Sequence, residues 1–124
     1  MTAPPREGFP KEALALARKA VEIEPYNANH QNTLGAALYR MGKFPEAVAC
    51  LERTREIRNE WISADLYFLA MGYHQLGDAA RARDALARAV RWQEEKGSTL
   101  SQGDQAELNA FRAEAEALLH VPPR

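Results

Sequence analysis

Gly42-Lys43-Phe44-Pro45-Glu46-Ala47 is the stretch from which the fold can be read. It returns as Gly77-Asp78-Ala79-Ala80-Arg81-Ala82 and, more faintly, as Gly8-Phe9-Pro10-Lys11-Glu12-Ala13. Gly8 and Gly42 are 34 positions apart, and Gly42 and Gly77 are 35 apart. Ala13, Ala47 and Ala82 keep these steps. So do Ala17, Leu51 and Leu86, then Ala20, Thr54 and Ala89, then Ile23, Ile57 and Trp92. Upstream of the glycine, Leu34, Gly35 and Leu38 match Leu69, Ala70 and Tyr73. A repeated unit of this length is one supersecondary element, unable to bury its apolar face alone.

Within a copy, the matched residues recur at three, four and seven positions, which is the face of a helix and not the alternation of a strand. Leu34, Leu38 and Met41 form one stripe; Ala47, Leu51, Thr54 and Ile57 form the next. The glycine between two stripes stands where a helix ends in a left-handed residue, a conformation cheap only for Gly. The repeat is therefore a helix–turn–helix. Small residues at Gly35/Ala70 and Ala47/Ala82 let two antiparallel helices approach closely. Larger Leu, Tyr and Ile residues are left to fill the gap to the following copy.

This pattern resembles the tetratricopeptide repeat, with its W-x2-L-G-x2-Y … G-x-Y … A-x3-F-x2-A … P spacing. In the copy beginning near Ala28, Leu-Gly corresponds to Leu34-Gly35 and Tyr to Leu38. The turn glycine is Gly42, Ala-x3-Phe is Ala47 and Leu51, and Thr54 replaces the second Ala. In the copy beginning near Ser63, the first Trp falls on Leu66 and Leu-Gly on Leu69-Ala70. Tyr73, Gly77, Ala82, Leu86 and Ala89 complete it. The closing proline is kept only as Pro25, with Asn59 and Glu94 at the later places. The resemblance covers about residues 8–95. It implies an all-α fold of antiparallel helix pairs stacked as a short right-handed solenoid.

The expected organisation is a linker at residues 1–7, a half repeat at 8–27, and full repeats at 28–61 and 62–96. A loop and capping helix follow at 97–119, then a tail at 120–124. The half repeat supplies a second helix, Gly8 to Glu24, without a first. The extra residue between the later copies lies around Asn59-Glu60-Trp61, which puts Trp61 at or near a helix start. Ser101 or Asp104 caps the last helix, with Leu108, Phe111, Ala115 and Leu118 on one face. Its sequence, Ala106 to Leu119, resembles the tails of bacterial, especially planctomycete, multidomain proteins in which such repeats follow a serine/threonine kinase or similar domain. No kinase motif is present in the chain itself.

Composition narrows the function classes. Hydrophobic residues make up 46% and charged residues 27%, too apolar for disorder. Sixteen basic residues face seventeen acidic ones, a net charge of -1 with no basic cluster, which argues against nucleic acid. No apolar run approaches the roughly 20 residues that span a bilayer. The Met1 to Arg6 start has no apolar core of a secretory signal. The single cysteine, Cys50, fits a reducing compartment, so the expectation is a soluble, cytoplasmic protein. Enzyme chemistry is not expected either, and neither a metal nor a cofactor. His30, His74 and His120 lie in separate elements without a carboxylate or cysteine at ligand spacing, and Cys50 reads as a small packing residue.

What remains is binding. In tetratricopeptide repeats the first helices line a concave groove. On that resemblance the partner-binding positions are Asn29, Asn32, Thr33, Ala36, Tyr39 and Arg40, then Tyr67, Met71, His74 and Gln75. Ala64 and Phe68 share the latter face, although Phe68 and Met71 equally suit packing against a neighbouring helix. Asn can pair with the backbone of an extended peptide, and Tyr and Met can anchor apolar side chains. Repeat proteins that grip the C-terminal carboxylate of cytosolic chaperones use Lys and Asn on one first helix with Lys and Arg on a later one. Here those positions are Asn32 with Ala36 and Ala64 with Phe68, so that clamp is missing. Arg40 is the one groove cation on this mapping, which disfavours a strongly acidic ligand. The alternative is self-association, as a homodimer or by a domain swap, through residues 10–24, where Leu14, Ala17, Val21 or neighbouring residues lack a partner helix.

Overall fold

The computed structural model describes residues 11–58 and 63–120. All regular structure among them is helical: α1 (Lys11–Ile23), α2 (Ala28–Arg40), α3 (Phe44–Arg58), α4 (Ser63–Gln75), α5 (Ala79–Lys96) and α6 (Gln102–Leu119), with a 3-10 turn at Gly97–Thr99. The chain divides into two compact units, residues 1–60 and 61–124. The expected loop at Asn59-Glu60-Trp61, the place of Trp61 and residues 1–7 lie outside the described residues.

The signature glycines do what their spacing predicts. Gly42 has φ 79° and Gly77 has φ 83°, both left-handed. In the first unit Gly42 N–H donates to the Tyr39 carbonyl (3.0 Å) and Lys43 N–H to the Leu38 carbonyl (2.9 Å). In the second, Gly77 donates to His74 (3.0 Å) and Asp78 to Tyr73 (2.9 Å). These paired bonds satisfy the last carbonyls of α2 and α4 and stop each helix at the same point. The next residues turn the chain back, and Asp78 caps α5 by accepting from Arg81 N–H at 3.1 Å.

In the first unit, α2 and α3 pack along their length and α1 packs on α2. Gly35 marks the closest approach. A Cβ built there would stand 2.7 Å from Leu51 Cγ and 3.4 Å from the Ala47 carbonyl oxygen. Leu34, Leu38, Ala47 and Leu51 form the core around it, with Thr54 fully buried and its hydroxyl donating to the Cys50 carbonyl at 3.0 Å. The buried Gln31 amide donates to the Pro25 carbonyl at 3.0 Å, which ties the α1–α2 connection to the core. Arg18 of α1 pairs with Glu46 of α3 at 3.3 Å.

In the second unit, α4 and α5 form the equivalent pair, and α6 packs on α4 and less extensively on α5. Ala70, Ala82 and Ala89 are fully buried at the small-residue positions. Of the two candidate caps for α6, Ser101 is the one used: its Oγ accepts from Asp104 N–H at 3.1 Å. The helix buries Leu108 and Ala115, leaves Phe111 and Leu118 half-buried, and ends at His120 in a left-handed conformation (φ 58°).

The half-repeat helix behaves differently from expectation on one point. Ala17 is buried and Leu14 and Val21 are half-buried, so they are not the uncovered face. Packing against α2 covers that side. The uncovered apolar residues are Leu16 and Ile23, each 70% exposed, with Tyr26 just beyond at 84%.

Candidate functional site

The face of α2 is built by its own periodicity. Asn29, Thr33, Ala36 and Arg40 follow one another at four, three and four positions, which places them on one stripe. Asn29 and Thr33 are exposed, Ala36 and Arg40 are half-exposed, and Asn32 is half-exposed beside them. The opposite positions, Leu34, Gly35 and Leu38, are spent on the core. Asn27 caps the helix, its Oδ1 accepting from His30 N–H at 3.1 Å, so the stripe starts on a fixed first turn. The Thr33 hydroxyl donates to the Asn29 carbonyl at 2.8 Å and holds that side chain close to the helix.

Tyr39 departs from the expected exposure. It is buried, its ring centroid 5.3 Å from that of Phe44 across the turn. The counterpart positions in the second unit are His74 and Ala79, with no second ring to enclose a side chain, and His74 stays half-exposed. The Arg40 guanidinium lies 5.8 Å from the Tyr39 ring centroid, so the buried tyrosine serves as a platform for a cation at the end of the stripe.

A second cation on this face went unnoticed in the sequence. Arg58, at the end of α3, donates from Nη2 to Asn29 Oδ1 at 2.8 Å. Gly35 meets Leu51 across the antiparallel α2–α3 pair, eight positions either side of Lys43, and Asn29 and Arg58, fourteen and fifteen positions from it, keep nearly the same register. That register was the available signal. Arg58 ends α3, a second helix, and so falls outside the first-helix positions that the resemblance implies.

On α4 the expected residues are mostly enclosed. Tyr67 and Met71 are fully buried and Phe68 nearly so, which corrects the expectation that they line an accessible surface. For Phe68 the physical reason is α6. Its Phe111 meets Phe68 edge-on at 4.9 Å between centroids, a favoured aromatic geometry. The Tyr67 hydroxyl donates to Gln93 Oε1 on α5, and Gln93 Nε2 donates to Asn109 Oδ1 on α6 at 2.7 Å. The polar tip of Tyr67 is thus satisfied within the second unit. His74 and Gln75, near the end of α4, are half-exposed. A shallow cleft of about 250 Å³ in this unit runs past Leu66, Leu69 and Tyr73, away from both.

Among the described residues, no group of three or more His, Cys, Asp or Glu side chains could hold a metal ion, and no helix is long and apolar enough to cross a membrane. Cys50 is half-buried on α3; burial pushes its thiol up, with Glu46 adding to the shift and Arg53 and Arg18 opposing it.

A match to the tetratricopeptide repeat family runs over residues 26–95, more than half of the chain. The chain belongs to that family. Its two glycine turns, its small-residue contacts and its helix pairs are those of tetratricopeptide repeats, and such repeats support a role in protein interaction. Stress-induced-phosphoprotein 1 of Caenorhabditis elegans is 31% identical over 74 residues, covering 60% of this chain and 23% of that protein. The chain therefore spans about a quarter of that relative's length. No solved structure is a significant match.

Proposed function

We propose that this tetratricopeptide repeat chain binds an extended segment of a partner protein along the outward stripe of α2, acting as a non-enzymatic scaffold or adaptor. The observation that carries the reading is the stripe itself. Asn29, Thr33, Ala36 and Arg40 keep polar or small side chains toward solvent on a helix whose other faces are packed. Small residues at its middle let a peptide backbone come close, while Asn29 and Asn32 offer amide groups suited to backbone pairing. His74 and Gln75 on α4 are the remaining partner-facing candidates, with Tyr39, Tyr67 and Met71 acting as support beneath their helices. An NMR titration of the isotope-labelled chain with pooled random peptides tests this. Shifts confined to the amides of residues 29–40 and 74–75 are expected. No shift there at millimolar total peptide rejects it.

The second reading is self-association through α1, favoured by the 70% exposure of both Leu16 and Ile23, seven positions apart on one side of the helix. Sedimentation equilibrium at tens of micromolar separates the two. A monomer that stays monomeric dismisses self-association, and a dimer abolished by Leu16→Glu supports it.

A further inference from the structure

Resting on the self-association reading of α1, we infer that α1 pairs with α1 of a second copy of this chain, and that the two helices run parallel. Ala13, Leu16, Ala20 and Ile23 recur at three, four and three positions, the seam of a two-helix coil. Leu16 and Ile23 are each 70% exposed, and Ala13 and Ala20 are half-buried beside them. Packing on α2 takes up Leu14, Ala17 and Val21, which lie further round the helix. Alternating large and small residues suit close approach, because a Leu or Ile of one helix can enter a hole bordered by the alanines of the other.

The direction of pairing follows from charge. Lys19 and Glu24 are exposed, one on each flank of the seam. Glu24 stands one residue past α1, but its N–H donates to the Ala20 carbonyl at 2.9 Å and keeps it on the helical path. In a parallel pair opposite flanks meet, so Lys19 of each copy faces Glu24 of the other and two ion pairs form. In an antiparallel pair like flanks meet, and setting Leu16 against Ile23 brings the two Lys19 side chains together. Arg18 lies on the far side of the helix from the seam and pairs with Glu46 of α3 at 3.3 Å. A seam carried by four residues is short. It buries less than the roughly 800 Å² per partner of a standard interface, so the dimer is weak, with a dissociation constant on the order of tens of micromolar.

Sedimentation equilibrium of the full chain, up to about 200 micromolar and at low salt, reads the dissociation constant. Lys19→Glu and Glu24→Lys each set like charges against each other twice, and each is expected to weaken the dimer roughly three- to ten-fold with helix content unchanged by circular dichroism. The double variant Lys19→Glu/Glu24→Lys turns both pairs round and restores the original constant. Lys11→Glu, on the far side of α1 from the seam, is the neutral control. A dimer that Leu16→Glu abolishes but that ignores both charge reversals, or that the double variant fails to restore, overturns the parallel pairing while self-association through α1 stands. A wild-type chain that stays monomeric over the whole range, or a dimer untouched by Leu16→Glu, rejects the pairing and the self-association reading together.

Discussion

α2 and α4 hold the same place in their repeats and end in the same glycine turn, yet they spend their outward residues differently. Asn32, Thr33 and Ala36 of α2 correspond, 35 positions on, to Tyr67, Phe68 and Met71 of α4. The first set stays at least partly accessible, and the second is enclosed. Polar and small side chains at these positions leave a helix open to a ligand. Aromatic and thioether side chains call for a cover, and for Phe68 α6 supplies it through Phe111. The repeat motif sets where a residue points. The residue type sets whether that direction is an accessible face or an interior.

The contrast can be broken most strongly at its cover. Phe111→Ala removes the ring packed on Phe68, and because Phe111 is only half-buried the loss is about 2–3 kcal/mol, below the full range for core Phe-to-Ala changes. Thermal unfolding monitored by circular dichroism should fall accordingly. Hydrogen exchange should speed up in α6 and α4 while α2 is unaffected.

Gly35→Ala attacks the other side of the comparison. The counterpart residue is Ala70, tolerated in the second unit, whereas a Cβ at Gly35 would press on Leu51 Cγ at 2.7 Å, and Leu51 is itself fully buried. A destabilisation of about 1–3 kcal/mol is expected by urea unfolding, against the gain that Gly-to-Ala normally brings inside a helix. Stabilisation would mean that the α2–α3 contact is looser than its geometry.

The smallest effect sharpens the role of Tyr67. Tyr67→Phe keeps the ring and removes the hydroxyl that donates to Gln93, at a cost of about 1 kcal/mol. Loss of that bond should also loosen the Gln93–Asn109 link, visible as faster exchange near the middle of α6.

Much of this architecture was legible beforehand because backbone chemistry writes it into residue types. Gly42 and Gly77 announced left-handed turns, and the Gly35/Ala47 and Ala70/Ala82 pairs announced close helix contacts. The candidate site was legible only in part. Asn29, Thr33, Ala36 and Arg40 were placed on one face by helical period alone. The burial of Tyr39 involved Phe44, a residue from the next helix, and that of Phe68 involved Phe111, from a helix outside the repeat. Arg58 came to the face through antiparallel register, which a reading confined to first helices does not follow. Contacts between elements, unlike periods within them, have to be seen.

The central proposal is that the outward stripe of α2 is a binding face, whereas Tyr67, Phe68 and Met71, at the same places on α4, are interior. The most direct measurement is a heteronuclear NMR titration of the full chain with pooled random peptides. The account predicts saturable shifts at the amides of Asn29, Thr33, Ala36 and Arg40, with Tyr67, Phe68 and Met71 unmoved. Shifts centred on those three α4 residues, or none on α2 at saturating peptide, would contradict it.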